Sequence, residues 1–220
     1  METITQKLKK LQANLPKVRK IKLVAVTKTR SPKEIEEAIF AGTTSIGENR
    51  VQEAERKFKN IKNIQNIEKR LIGPLQSNKI NKAINIFDVI DSVGTEKTAK
   101  KISDAAKKTN KIQRVLIQIN SSGENLKSGF LLKDKEKILR CADNPNIKIE
   151  GLMTMGPNTT NEKEILKAFK QTKELFDDLG QNEKIDCKTL SMGMSGDFEL
   201  AIQQGSNLIR VGTAIFGPRA

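Results

Sequence analysis

Apolar residues recur along the chain in two alternating rhythms. Ile4, Leu8, Leu11 and Leu15 follow the helical spacing of three and four, and Pro16 ends the run. Residues 2–15 therefore read as an amphipathic helix whose apolar stripe covers a core. The next run, Leu23-Val-Ala-Val26, is continuous and mostly β-branched, the pattern of a strand buried on both faces. Ser31, Pro32 and Glu34 then make a capping box with proline at the first helical position. Ile35, Ala38 and Ile39 form the inner face of that helix, and Gly42 stops it.

The same strand-then-helix unit repeats to the end of the chain. Further strands are expected at 43–46, from Arg70, and at 86–90, 115–119, 147–151, 188–190 and 207–211. Helices are expected after Asn49, at 76–84, 95–109 and 133–142, and from Asn161 to Leu179 with Gly180 as its C′ residue. A last one runs from Asp197 to Gln204, with Gly205 at its end. Eight strands alternating with helices predict an α/β fold, a single (β/α)8 TIM-type barrel over residues 1–220, with residues 2–15 as an extra N-terminal helix. A doubly wound open sheet is the alternative, and the regularity of the units favours closure.

In such barrels chemistry sits at the C-terminal strand ends. Lys28 occupies that place after the first strand. Asn49 occupies it after the second, where it serves either as a ligand contact or as a helix N-cap; spacing alone does not choose. The polar loop from Asn120 to Phe130 is long enough to suggest function. The loops after the seventh and eighth strands are rich in small residues, Ser191-Met-Gly-Met-Ser-Gly and Gly212-Thr213. Phosphates bind at those two loops, so Ser195, Gly212 and Thr213 make a candidate phosphate cradle across the mouth from Lys28. Arg210 interrupts an otherwise apolar strand, and by alternation it points away from Ile209 and Val211. A lysine with a phosphate cradle fits two chemistries: a Schiff-base aldolase acting on a sugar phosphate, or a pyridoxal phosphate protein. Both need a neutral amine to attack a carbonyl.

Composition narrows the field. With 40 Lys and Arg, any single lysine is more often a solvated one. The net charge of +14 raises a polyanion partner. The charge is spread along the chain without a basic block, however. With eight Phe and no Trp or Tyr, stacking platforms are scarce, so no specific nucleic-acid partner is expected. Histidine is absent, which removes the commonest general base and metal ligand, and no metal site is expected. Cys141 and Cys187 are isolated, which suits a reducing cytoplasm. No apolar run approaches the length of a membrane span, and residues 1–8 lack the apolar core of a signal peptide. No helix reads as strongly apolar on an exposed face, so a monomer is expected.

Several stretches together carry a resemblance. They are Leu23-Val-Ala-Val-Thr-Lys28, Gly47-Glu-Asn49 with Val51-Gln-Glu53, and Ile72-Gly-Pro-Leu-Gln-Ser-Asn-Lys79. Lys127-Ser-Gly-Phe130, Gly151-Leu-Met-Thr-Met155, Leu190-Ser-Met-Gly-Met-Ser195 and Ile209-Arg-Val-Gly-Thr-Ala-Ile-Phe-Gly217 complete the set. In order and over nearly the whole chain, they resemble the YggS-type pyridoxal-phosphate homeostasis proteins. The resemblance implies a fold-type III barrel like the N-terminal domain of alanine racemase, with pyridoxal 5′-phosphate held as a Schiff base on Lys28. It implies that Ser195, Gly212 and Thr213 hold the phosphate, that Arg210 faces the pyridine nitrogen, and that Asn49 and Met192 line the ring. It further implies a role in vitamin B6 homeostasis, with pyridoxal-phosphate-dependent apoenzymes and amino or keto acids as partners. The pattern departs from the family at Arg50, where Tyr is frequent, at Arg70 and Leu71, where His and an aromatic are frequent, and at Gly196, where Asp is frequent. A racemase needs a second acid/base on the opposite face of the ring, and the chain has neither Tyr nor His to offer. A cofactor-binding protein without robust catalysis is therefore expected, with a weak racemase or transaminase as the alternative.

Overall fold

The computed structural model describes residues 2–17, 20–124 and 127–218. Its strands are β1 (Lys22–Val26), β2 (Ser45–Glu48), β3 (Glu68–Leu71), β4 (Val89–Val93), β5 (Gln113–Asn120), β6 (Phe130–Leu131), β7 (Ile147–Thr154), β8 (Thr189–Ser191) and β9 (Leu208–Val211). All their pairings are parallel, and the order β4-β3-β2-β1-β9-β8-β7-β5 closes on itself through β4 and β5. The expected eight-stranded barrel is present. The two-residue β6 lies outside it, paired to the end of β5 at Ile119 and Asn120.

The helices are α1 (Ile4–Asn14), α2 (Pro32–Phe40), α3 (Val51–Phe58), α4 (Ile80–Ile86), α5 (Glu96–Lys107), α6 (Lys135–Cys141), α7 (Glu162–Leu179), α8 (Phe198–Gln203) and α9 (Thr213–Phe216). The capping box of α2 forms as the sequence requires. Ser31 Oγ accepts the Glu34 N–H, and the Glu34 carboxylate accepts the Ser31 N–H at 2.7 Å. Thr3 and Gln6 make the same reciprocal pair at the start of α1. α1 buries Leu8 and Leu11 in a cluster with Ala25, Ile35, Ile46, Ile209 and Ile215, so the extra helix packs over the seam between β1 and β9.

Three local expectations are corrected. The fourth strand is Val89–Val93, three residues later than the apolar run at 86–90 suggests. Ile86 completes α4, and Phe87 caps it with its N–H on Ala83 O. The run is a helix stripe followed by a core anchor, with Phe87 edge-on to Phe58; short apolar runs do not distinguish the two cases. The sixth strand does not end at Gly151. It continues to Thr154 through a register shift against β5, with Gly151 at φ +137° and so close to β8 that a Cβ would lie 2.0 Å from Thr189 O. Gly180 caps α7 with right-handed geometry, φ −66°, and is not the left-handed C′ residue expected. Its own constraint is space, since a Cβ would meet Cys187 Cβ at 3.3 Å.

Alternation divides the strand side chains between two environments. Leu23, Ala25, Ile209 and Val211 face the helices. The opposite face fills the barrel, and there the lower half is ionic. Arg70 is 2% exposed and grips Asp91 through Nε at 3.0 and 3.1 Å, while its NH1 meets Glu68 Oε1 at 2.7 Å. Glu68 also binds Lys22 at 2.7 Å and Arg114 at 3.2 Å, and Arg114 pairs with Glu150 at 2.9 Å. Arg70 thus acts as a buried tie between strands.

Burial alone would raise the Glu68 carboxyl, but Arg70 and Lys22 outweigh it and hold it down at about 2. The stabilisation is present above the ordinary carboxylate pKa and is lost as pH falls through that range towards 2. After allowance for solvent screening it amounts to roughly 2 kcal/mol. Urea midpoints measured from pH 6 down to pH 2.5 should therefore fall, and Glu68→Gln should lower the neutral-pH midpoint and flatten that dependence.

Candidate functional site

Closure sets the site. β1 pairs directly with β9, with Val24 opposite Arg210 and Ala25 opposite Val211. Lys28, two residues past β1, therefore lies beside the Gly212-Thr213 loop and not across the mouth from it as expected. The approach is close, since a Cβ on Gly212 would lie 3.3 Å from Val26 Cβ. Lys28 is half-buried, Gly212 half-buried and Thr213 exposed at the start of α9.

β8 completes this corner. Met192 N–H donates to Leu208 O at 3.1 Å, and Arg210 N–H donates to Gly193 O at 3.0 Å, so the Ser191–Ser195 segment runs alongside β9. Gly193 turns it at φ +94°, where a Cβ would strike Phe198 Cα and Ala201 Cβ at 2.7 Å. Beyond that turn, Ser195 Oγ accepts the Ala214 N–H at 3.4 Å. The two small-residue loops therefore meet, with a hydroxyl and backbone donors at their junction.

Arg210 enters the barrel interior beneath this corner and is 4% exposed. Its NH1 donates to Ser191 O at 3.0 Å and Ser191 Oγ at 2.6 Å, and its NH2 donates to Thr154 O at 2.8 Å. Burial draws this guanidinium down to about 10, with the Asp91 carboxylate opposing the shift, so it remains a cation at neutral pH. Met192 has no exposed surface and belongs to the large apolar cluster under the mouth. Asn49 is half-buried at the end of β2 and is not the N-cap of α3; Arg50 occupies that position, without a side-chain cap bond. The Asn49 backbone packs so tightly on Gly73 that a Cβ there would lie 2.4 Å from Asn49 O. The other two family departures have different fates. Arg70 is the buried ionic tie described above, and Gly196 is exposed with open space around it.

Residues that motif reading passed over surround Lys28. Arg30 reaches the far end of the chain: its NH2 donates to Gly217 O at 2.5 Å and Pro218 O at 3.0 Å, and its guanidinium lies 5.6 Å from the Phe216 ring centre. It ties the Lys28 loop to the turn carrying Gly212 and Thr213. On the other side, Glu48, Glu53 and Lys57 form a compact ionic group against Thr27 and Thr29. In the sequence, Glu48 and Glu53 lie within the resemblance stretches Gly47-Glu-Asn49 and Val51-Gln-Glu53, and the four-residue spacing of Glu53 and Lys57 suits an ion pair on one helix face. Among the described residues no group of His, Cys, Asp and Glu is arranged to hold a metal ion.

The chain is thus an eight-stranded parallel barrel with a lysine, a buried arginine and two small-residue loops gathered at one mouth. The model of the alanine racemase N-terminal domain family matches residues 1–220. The chain is 40% identical over 228 residues to a pyridoxal phosphate homeostasis protein of Vibrio cholerae, covering 100% of this chain and 94% of that one. It is 37% identical over 199 residues to the Aquifex aeolicus protein of the same name, covering 90% and 87%. Among solved structures, PipY of Synechococcus elongatus with pyridoxal phosphate bound superposes with a TM-score of 0.89 at 32% identity, covering 98% of this chain and all of that one. Alanine racemase of Clostridium difficile shares the fold at TM-score 0.84 and 18% identity, with this chain spanning 59% of its length. The chain belongs to the alanine racemase N-terminal-domain family, and within it to the pyridoxal phosphate homeostasis proteins.

Because Gly193 sits where a side chain has neither room nor a relaxed backbone, Gly193→Ala should lower stability by about 2 kcal/mol. Gly196→Ala, nearby but in open space, should be within a few tenths of a kcal/mol of the parent. Thermal denaturation of both variants checks the contrast.

Proposed function

We propose that residues 1–220 act as one cofactor-binding unit that holds pyridoxal 5′-phosphate covalently on Lys28 and serves intracellular vitamin B6 homeostasis without robust catalysis. The observation that carries this reading is the β1–β9 seam. It sets Lys28 beside the meeting point of Ser195, Gly212, Thr213 and Ala214, with the Arg210 cation beneath. The bound PipY relative and the names of the curated relatives support the same cofactor.

The residues present fit that group. Pyridoxal phosphate would supply an aldehyde, and Lys28 would hold it through its side-chain nitrogen. Lys28 must deliver an unprotonated amine for this. Ser195 Oγ and the backbone donors of the Gly212–Ala214 turn suit a phosphate. Arg210 is anchored by Ser191 and Thr154, so its charge stays fixed. A fixed cation in that place would disfavour protonation of a cofactor ring nitrogen beside it and so make the ring a poorer electron sink. Asn49 at the mouth and Met192 below it complete the proposed pocket. The wider role, delivery of the cofactor to apoenzymes in the cytoplasm and an influence on amino and keto acids, rests on family membership. Among the described residues no helix is long and apolar enough to cross a membrane.

Protein purified with pyridoxal phosphate should be yellow. Borohydride reduction should place a stable pyridoxyl label on the Lys28 peptide, read by mass spectrometry, and Lys28→Ala should be colourless. A label on another lysine, or a reducible adduct in Lys28→Ala, overturns the assignment. Solvent deuterium should enter the Cα position of amino acids no faster than with free pyridoxal phosphate; faster exchange would establish an enzyme.

A further inference from the structure

The backbone around Lys28 has an unusual shape. Arg30 N–H closes a turn on Thr27 O at 3.0 Å, so Lys28 and Thr29 are its two central residues. Thr29 takes φ +64°, a left-handed conformation that turns normally give to glycine or asparagine. A β-branched residue is strained there. Such a conformation persists only when its surroundings hold it.

Those surroundings are the ionic group on α3 and β2. Glu53 Oε1 accepts the Thr29 N–H at 2.6 Å. Lys57 Nζ donates to Thr27 O at 2.6 Å and contacts Glu48 Oε1 at 2.7 Å and Glu53 Oε1 at 2.8 Å. Thr27 Oγ1 donates to the same Glu48 oxygen at 2.7 Å, and Thr27 N–H donates to Gly47 O at 2.9 Å. The carbonyl before Lys28 and the N–H after it are therefore gripped by one group of charges. Lys57 is engaged with three oxygens and is 11% exposed, Glu53 is 18% exposed, and Glu48 is fully buried. Burial opposes ionisation of Glu53, but the Lys57 ammonium and the Thr29 N–H outweigh it, so the grip on Thr29 is charge-assisted. An ordinary i,i+4 pair on a helix surface does not reach into the turn of a neighbouring strand.

We propose that Glu53 and Lys57 are positioning residues for Lys28, holding the Thr27–Arg30 turn in its left-handed form so that the Lys28 amine is presented to the carbonyl of pyridoxal phosphate. This rests on the reading that Lys28 binds that cofactor. Both act through the peptide groups on either side of Lys28. Glu48 anchors Lys57 by the 2.7 Å contact, although burial pushes its carboxyl above the ordinary carboxylate value against the opposing pull of Lys57 and Thr27.

The test is the rate at which borohydride-fixable pyridoxal phosphate accumulates on Lys28, followed in the full chain beside the melting temperature. Glu53→Ala should slow accumulation about tenfold. Glu53→Gln, which keeps a carbonyl acceptor for Thr29, should recover part of the rate. Thr29→Gly should make the Glu53→Ala loss smaller, because glycine adopts the turn without help. Lys57→Met should slow labelling in the same direction as Glu53→Ala. If Glu53→Ala melts lower yet labels Lys28 at the parent rate, the group is merely structural and the proposal falls. It falls equally if Thr29→Gly leaves the Glu53→Ala defect undiminished. Absence of a Lys28 label in the parent protein would instead remove the cofactor reading itself.

Discussion

The structure depends on the pairing of its first barrel strand with its last. The four registered pairs between β1 and β9, from Lys22 opposite Leu208 to Ala25 opposite Val211, convert a row of strand-helix units into a closed ring. Closure removes the sheet edges and leaves no unpaired ladder between these strands. It also brings the segments after the first and last barrel strands together, and the core of the candidate site follows from that. Lys28 follows the first strand, Arg210 belongs to the last, and Gly212 and Thr213 follow it. α1 lies over the same seam with Leu8 and Leu11, and Arg30 crosses it to the carbonyls of Gly217 and Pro218. The extra N-terminal helix is thus a cover for the joint on which the site is built.

The barrel interior is built differently from its outer layer. The helices pack on apolar strand residues, whereas the inside carries Arg70, Asp91, Glu68 and Arg210. Burying charge is costly unless each charge is paired and hydrogen-bonded. Arg70 meets that demand with two carboxylates. Arg210 meets it differently, with two carbonyls and the Ser191 hydroxyl, and Asp91 contributes at longer range. The difference suits their places. Arg70 is ion-paired to two carboxylates within the protein and ties strands together. Arg210 is held by neutral groups, so its charge is not cancelled by a carboxylate in contact with it.

Much of the fold was legible because strand and helix have different apolar periods and because caps are chemically distinctive. Ser31-Pro-Lys-Glu34 and Asn161 with Glu164 mark helix starts that the structure reproduces. The misplaced fourth strand shows the limit. Ile84, Ile86 and Phe87 satisfy either a strand or the inner face and end of a helix, and packing of Phe87 on Phe58 decides for the helix. Gly180 shows the same limit. A glycine after a helix suggests a left-handed cap, but here close contact with Cys187 accounts for it. β6 leaves no signal in the sequence, because two residues are too few to show a period.

For the site, the chain by itself determined the chemistry on offer: a lysine at a strand end, small residues in two late loops, an arginine within an apolar strand, and neither histidine nor tyrosine. Those are statements about residue type and local order, which sequence carries directly. Tertiary structure alone decided the geometry. It set Lys28 next to the Gly212 loop instead of opposite it, because the first and last strands of a closed barrel must be neighbours. It also gathered Glu48, Glu53 and Lys57 under the Lys28 turn, because buried charges from β2 and α3 must find partners. The nearest ones available include the backbone carbonyl of Thr27 and the N–H of Thr29.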